Sequence, residues 1–123
     1  MRAFGDLEAV IMDRLWSWGR PSTVREVVDD IQTYREIAYT TVMTVMDNLH
    51  RKGFLSRQMD GRAWRYQPVR SRDEHAADLL YSALDEAGDR NGALMHFIRR
   101  MRASEVEAVR RAIAERRPKR SRP

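Results

Sequence analysis

Residues 38–68 constrain this chain most: AYTTVMTVMDNLHRKG, followed directly by FLSRQMDGRAWRYQP. Val42, Val45, Met46 and Leu49 recur at i, i+3, i+4 and i+7, which predicts a helix from about Thr40 to Lys52 with those four as its buried stripe. Gly53 follows as the residue able to take a left-handed C′ conformation. Phe54 to Met59 then pairs naturally with Ala63 to Gln67 around Asp60-Gly61, a hairpin signal of the type I′ kind, with Leu55, Trp64 and Tyr66 contacting the helices and Pro68 closing it. A helix joined this tightly to a short hairpin needs other helices to cover its apolar stripe.

Those helices lie upstream. Asp6 is expected to cap a first helix that continues to about Trp18, with Leu7, Val10, Ile11 and Leu15 on one face and Gly19-Arg20-Pro21 ending it. Thr23-Val24-Arg25-Glu26 is a capping-box pattern, opening a helix that buries Val24, Val27, Val28 and Ile31. The apolar rhythm breaks around Thr33 to Ile37, giving a short connector.

Beyond Pro68, Ser71-Arg72-Asp73-Glu74 and Ser104-Glu105-Val106-Glu107 read as further capping boxes, opening helices at about 72–87 and 105–116. A shorter helix between them carries Leu94, Phe97, Ile98 and Met101 on one face. The flanking apolar positions are Ala77, Leu80, Tyr81 and Leu84, then Val106, Val109 and Ile113. Three helices of this size make a thin core and gain most by packing against a second copy. The expected fold class is mainly α with a small β-wing: a winged helix-turn-helix domain over 1–70, a helical dimerisation domain over 71–116 and a basic disordered tail over 117–123.

The surface opposite the buried stripe of the third helix is the candidate reading surface. Thr41, Thr44, Asn48 and Arg51 align on it, and this face holds no carboxylate, although Asp47 lies close by. Threonine offers a hydroxyl for phosphate or base edges and a methyl for thymine, and asparagine can pair with adenine. Thr40 and Thr41 can donate to phosphate beside the free N–H groups of the first turn. Arg51 and Lys52 suit backbone phosphates, and the hairpin adds Arg57, Arg62 and Arg65, with Arg62 at the tip. The formal charge of +5 favours an anionic partner. Each feature alone has a plainer explanation, a solvated face or hairpin edge protection. Together they point to double-stranded DNA. The competing class is a winged-helix adaptor for protein partners, with only weak, non-specific nucleic-acid affinity.

Other functions find little support. The chain has no cysteine, which removes disulfides, thiolate metal sites and cysteine nucleophiles. His50, His75 and His96 are scattered, without metal-ligand spacing, and read as structural or surface residues. Met43, Met46 and Met95 read as core filler. No nucleophile elbow, P-loop or dinucleotide fingerprint occurs, so neither an active site nor a cofactor is expected. No apolar run is long enough for a bilayer and no signal-peptide core opens the chain, so a cytoplasmic location is expected.

GDLEAVIMDRLW, TVREV, AYTTVMTVMDNLHRKGFL, DGRAWRYQP and ALMHFIRRM, in this order and spacing, resemble the penicillinase-repressor family (BlaI/MecI type, with the related CopY repressors) over nearly the whole chain. The resemblance implies a winged-helix repressor that binds palindromic operators as a homodimer through its C-terminal helices. It places DNA contacts on Thr41, Thr44 and their neighbours plus the wing. The position one turn after Thr44 is often arginine in the family and is Asn48 here. Copper sensing by C-terminal cysteines, used in the CopY branch, has no ligands in this chain. Inactivation by cleavage in the middle C-terminal helix, under a membrane sensor-protease, corresponds to His96-Phe97, where the staphylococcal bond is Asn–Phe.

Overall fold

A computed structural model describes residues 4–116. The elements run α1 (Asp6–Trp18), β1 (Ser22–Thr23), α2 (Val24–Ile31), α3 (Tyr39–Arg51), β2 (Leu55–Asp60), β3 (Ala63–Pro68), α4 (Arg72–Glu86), α5 (Arg90–Arg99) and α6 (Ala103–Glu115). The expected basic tail over 117–123 lies outside the described residues.

Local chemistry accounts for most of the boundaries. Gly5, not Asp6, is the N-cap of α1: its N–H donates to Glu8 Oε1 at 2.9 Å, and Asp6 is the first helical residue. Gly19 ends α1 in the left-handed region at φ 66°. The capping box at α2 forms in full, with Glu26 N donating to Thr23 Oγ1 at 3.1 Å and Thr23 N donating to Glu26 Oε1 at 3.0 Å. Gly53, at φ 89°, turns the chain from α3 into β2. Ser71 and Glu74 close the α4 box with bonds of 2.9 and 3.1 Å. The box expected at Ser104 does not form. α6 starts two residues earlier, at Ala103, and Arg102 N donates to Glu105 Oε1 at 2.8 Å.

The three strands form an antiparallel sheet in the order β1-β3-β2. Leu55 faces Pro68, Arg57 faces Tyr66, Met59 faces Trp64 and Asp60 faces Ala63. Side chains alternate across such a ladder, so Leu55, Arg57, Trp64 and Tyr66 share one face and Arg65 lies on the other. Gly61 and Arg62 form the two-residue turn. Gly61 has φ 65° while no described non-glycine residue is left-handed, which is the II′ pattern and not the expected I′. β1, which escaped the sequence reading, pairs Ser22 with Tyr66 and Thr23 with Arg65.

Backbone contacts group the chain up to Leu80 into one compact unit and the chain from Tyr81 into another, the boundary falling inside α4. The first unit holds the core: Ile11, Met12, Leu15, Val24, Val27, Val28, Ile31, Val42, Met46, Leu49, Leu55 and Tyr66 are all buried. Leu7, Val10 and Val45 are only partly buried around it, whereas Met12, not anticipated, is inside. Trp64, expected against the helices, stays at the surface. It is 39% exposed and covers Arg57. Met46 fills the core, but Met43 and Met95 are exposed.

The first turn of α4 belongs to this unit. His75 is buried, stacked on Phe4 with 4.4 Å between ring centroids, and ringed by Trp16 and Phe54. Trp16 Nε1 donates to Arg70 O at 2.9 Å, and Arg72 pairs with Asp13 at 2.8 Å. In the second unit no described residue is buried. Met101, expected on the α5 face, lies just past the end of that helix and is half-buried, its N–H bonded to Ile98 O at 3.0 Å.

Candidate nucleic-acid interface

The packing of α3 dictates what it presents. With Val42, Met46 and Leu49 turned inward, Thr40, Thr41, Thr44 and Arg51 are exposed and Asn48 is half-buried. Ala38 is the N-cap and offers no side-chain bond, so the first N–H groups of this helix have no side-chain acceptor. An uncapped helix start beside two threonine hydroxyls suits a phosphate. Arg25, on α2, lies 4.7 Å from the Tyr39 ring at this same end and adds a cation that the sequence reading missed.

The arginines of the expected site divide by partner. Arg51 pairs through Nε with Asp47 Oδ2 at 3.2 Å and also donates to Asn48 Oδ1. Arg57 pairs with Asp47 Oδ1 at 3.3 Å, donates to the Tyr66 hydroxyl at 3.4 Å and lies 4.2 Å from the Trp64 ring centroid. Arg65 pairs with Asp60 at 2.6 Å and with Glu26 at 3.2 Å. Lys52 pairs with Glu8 at 3.1 Å. Arg62 is exposed at the wing tip and takes part in none of the described ion pairs. The reading helix and wing thus converge on one surface, and most of its positive charge is already matched by acids.

Two carboxylates organise that matching. Glu26 caps α2, accepts from Arg20 at 2.7 Å and reaches Arg65 on β3. The Thr23 amide, followed by Arg20, holds its carboxyl below the usual carboxylate range, against an opposing cost of burial. Asp60, then Glu26, holds the Arg65 guanidinium further into its charged range, although burial opposes this. Asp47 serves the opposite face of the wing through Arg57. Sequence spacing exposes the Asp47–Arg51 pair, four residues apart on a helix. Nothing local exposes the bonds from Asp47 to β2 or from Glu26 to β3.

Comparison with known proteins fits this geometry. Among solved structures, the DNA-binding domain of the repressor BlaI aligns with a TM-score of 0.50 at 23% identity, covering 60% of this chain and 93% of that one. Bacillus licheniformis BlaI, in its monomeric form in complex with the blaP half-operator, also aligns at 0.50, with 22% identity and coverage of 59% and 88%. A MarR family protein from Bacillus stearothermophilus aligns at 0.51 with 16% identity, covering 93% of this chain and 73% of its own. At these identities the likeness establishes a shared winged-helix fold. The sequence relation is closer: the transcriptional regulator BlaI of Mycobacterium tuberculosis is 47% identical over 114 residues, covering 90% of this chain and 83% of the relative. The penicillinase repressor family model matches residues 4–115, and the chain belongs to that family.

Proposed function

We propose that two copies of the protein occlude a palindromic operator, each setting α3 in a major groove with its wing alongside. Family membership makes the chain a DNA-binding transcriptional repressor and not an enzyme. The homodimer rests on one observation: the helices after the winged helix leave their apolar positions uncovered. Leu80 is 57% and Ile113 66% exposed, and Leu94, Phe97 and Ile98 are also exposed. Leu84, Val106 and Val109, at the helical spacings expected for an interface, are only half-buried. A second copy of the same surface would cover them at no cost in new chemistry.

In this proposal Thr41 and Thr44 carry base recognition, Thr40 and the start of α3 carry phosphate, and Arg62 anchors the wing tip. Derepression proceeds by cleavage between His96 and Phe97, made by a membrane sensor-protease while the repressor itself stays in the cytoplasm. Both residues lie in α5, which has no side chain buried within its own protomer, and a cut between them severs the helix that carries Leu94, Phe97 and Ile98, splitting the proposed dimer surface. Among the described residues no helix is long and apolar enough to cross a membrane.

Footprinting on the DNA upstream of the protein's own coding region, with salt varied, tests the operator-binding part of the proposal. Protection of a palindrome, with half-sites about one helical turn or a small multiple apart, is the expected result. Uniform, sequence-independent protection would sink it.

A further inference from the structure

We infer that Asp47 is a positioning residue for sequence recognition, fastening the wing to the reading helix and lowering raw DNA affinity as it does so. A carboxylate here demands explanation. Asp47 immediately precedes Asn48 on the DNA-facing helix, its side chain is 42% exposed, and it repels the phosphates the rest of the surface attracts. A charge that opposes binding on a binding surface is retained for something other than affinity.

Its two oxygens show what that is. Oδ2 holds Arg51 one turn along α3, and Arg51 in turn donates to Asn48, so two of the four aligned reading positions are linked. Oδ1 holds Arg57 on β2. Arg57 lies against Trp64 on β3 and donates to Tyr66, whose ring is in the core. The relay Asn48–Arg51–Asp47–Arg57–Trp64 therefore spans from the reading face to the outer half of the wing. On the other face of the wing, Arg65 ties β3 to Glu26. Beyond Leu55 and Tyr66 no wing side chain is buried, so the pitch of its outer half depends on these charged ties. With Asp47 in place, Arg51 and Arg57 are presented in one orientation. Without it, both guanidinium groups are free to find any phosphate.

This inference rests on the repressor reading, and the test separates the two. Full-length wild type and Asp47→Asn are titrated against a duplex enriched by wild type from a random-sequence pool and against a random-sequence duplex of the same length, at several salt concentrations. Asp47→Asn is expected to bind the random duplex more tightly and with a steeper salt dependence. Its preference for the enriched duplex is expected to fall about fivefold, the scale of one well-placed surface ion pair. A second variant, Arg57→Gln, breaks the relay from the wing side. The double variant should lose no more preference than Asp47→Asn alone, because both cut one chain. An equal gain on both duplexes, with preference intact, overturns the relay and leaves Asp47 a bystander charge; so does an independent loss from each variant. If wild type enriches no duplex, the repressor reading falls and the inference with it.

Discussion

Arg62 gives the sharpest test of how this surface uses charge. It stands at the tip of the wing, while Arg51, Arg57, Arg65 and Lys52 are each within 3.3 Å of a carboxylate. A phosphate that binds one of those four must displace an existing partner, whereas one that binds Arg62 displaces only solvent ions. Each phosphate neutralised on B-DNA contributes about 0.9 to the slope of log affinity against log salt. Arg62→Ala should therefore flatten that slope by about 0.9. Over a fourfold rise in salt, from about 50 to about 200 mM, wild type should lose about 3.5-fold more affinity than the variant. Arg65→Ala is the control, because its charge is already balanced by Asp60 and Glu26; its slope should stay within about 0.3 of wild type. Fluorescence anisotropy with a labelled random-sequence duplex reads both. The loss at Arg62 should be the same on any sequence. A wild-type slope for Arg62→Ala, or equal flattening by Arg65→Ala, would refute the division of the arginines into paired and free.

Three further outcomes are expected. Thr44→Ala should cost about 1–3 kcal/mol on an enriched duplex and leave random-duplex binding unchanged; competition titration checks this, and undiminished preference removes Thr44 from base contact. Glu8, Glu26 and Glu74 are held below their ordinary value of 4.5, chiefly by the amides of Gly5, Thr23 and Ser71. Their stabilisation is complete above that pH and is lost as pH falls through the depressed folded values, so urea midpoints should drop below about pH 4.5, and Glu26→Gln should shrink the drop. Ile98→Asp should leave the melting of the winged helix unchanged and convert the proposed dimer to monomer in sedimentation velocity. A dimer that survives it places the interface elsewhere.

How legible each part was depended on how local its cause is. The Thr23 and Ser71 caps, the Gly53 stop and the place of the hairpin turn are set by residues within a few positions of one another, and each was visible in the sequence, although the turn is Gly61-Arg62 of the II′ kind. The stripe of α3 was visible because one helical period repeats through it. β1 was not, since two residues become a strand only when β3 lies beside them. Trp64 was expected against the helices because its aromatic character suggests burial, while the register leaves it on the outer half of the wing above Arg57. His75 offered no signal at all, because Phe4, Trp16 and Phe54 come from distant points in the chain. In the candidate site the threonines were where periodicity placed them. That most of the arginines already have carboxylate partners is a tertiary fact.

The compact unit containing the winged helix ends partway along α4, and that helix continues unbroken from Arg72 to Glu86. Within a helix, spacing decides which side chains share a face. Leu80 and Leu84, four residues apart, lie about 40° from each other around α4. One residue inserted between them opens that angle to about 140° and sends Leu84 to the far side of the helix. Four inserted residues return it to within about 80° and lengthen the helix by about 6 Å. The surface of α4 offered to the proposed second copy is therefore sensitive to insertion and deletion, and can be lost with no change to any residue of the reading helix or the wing.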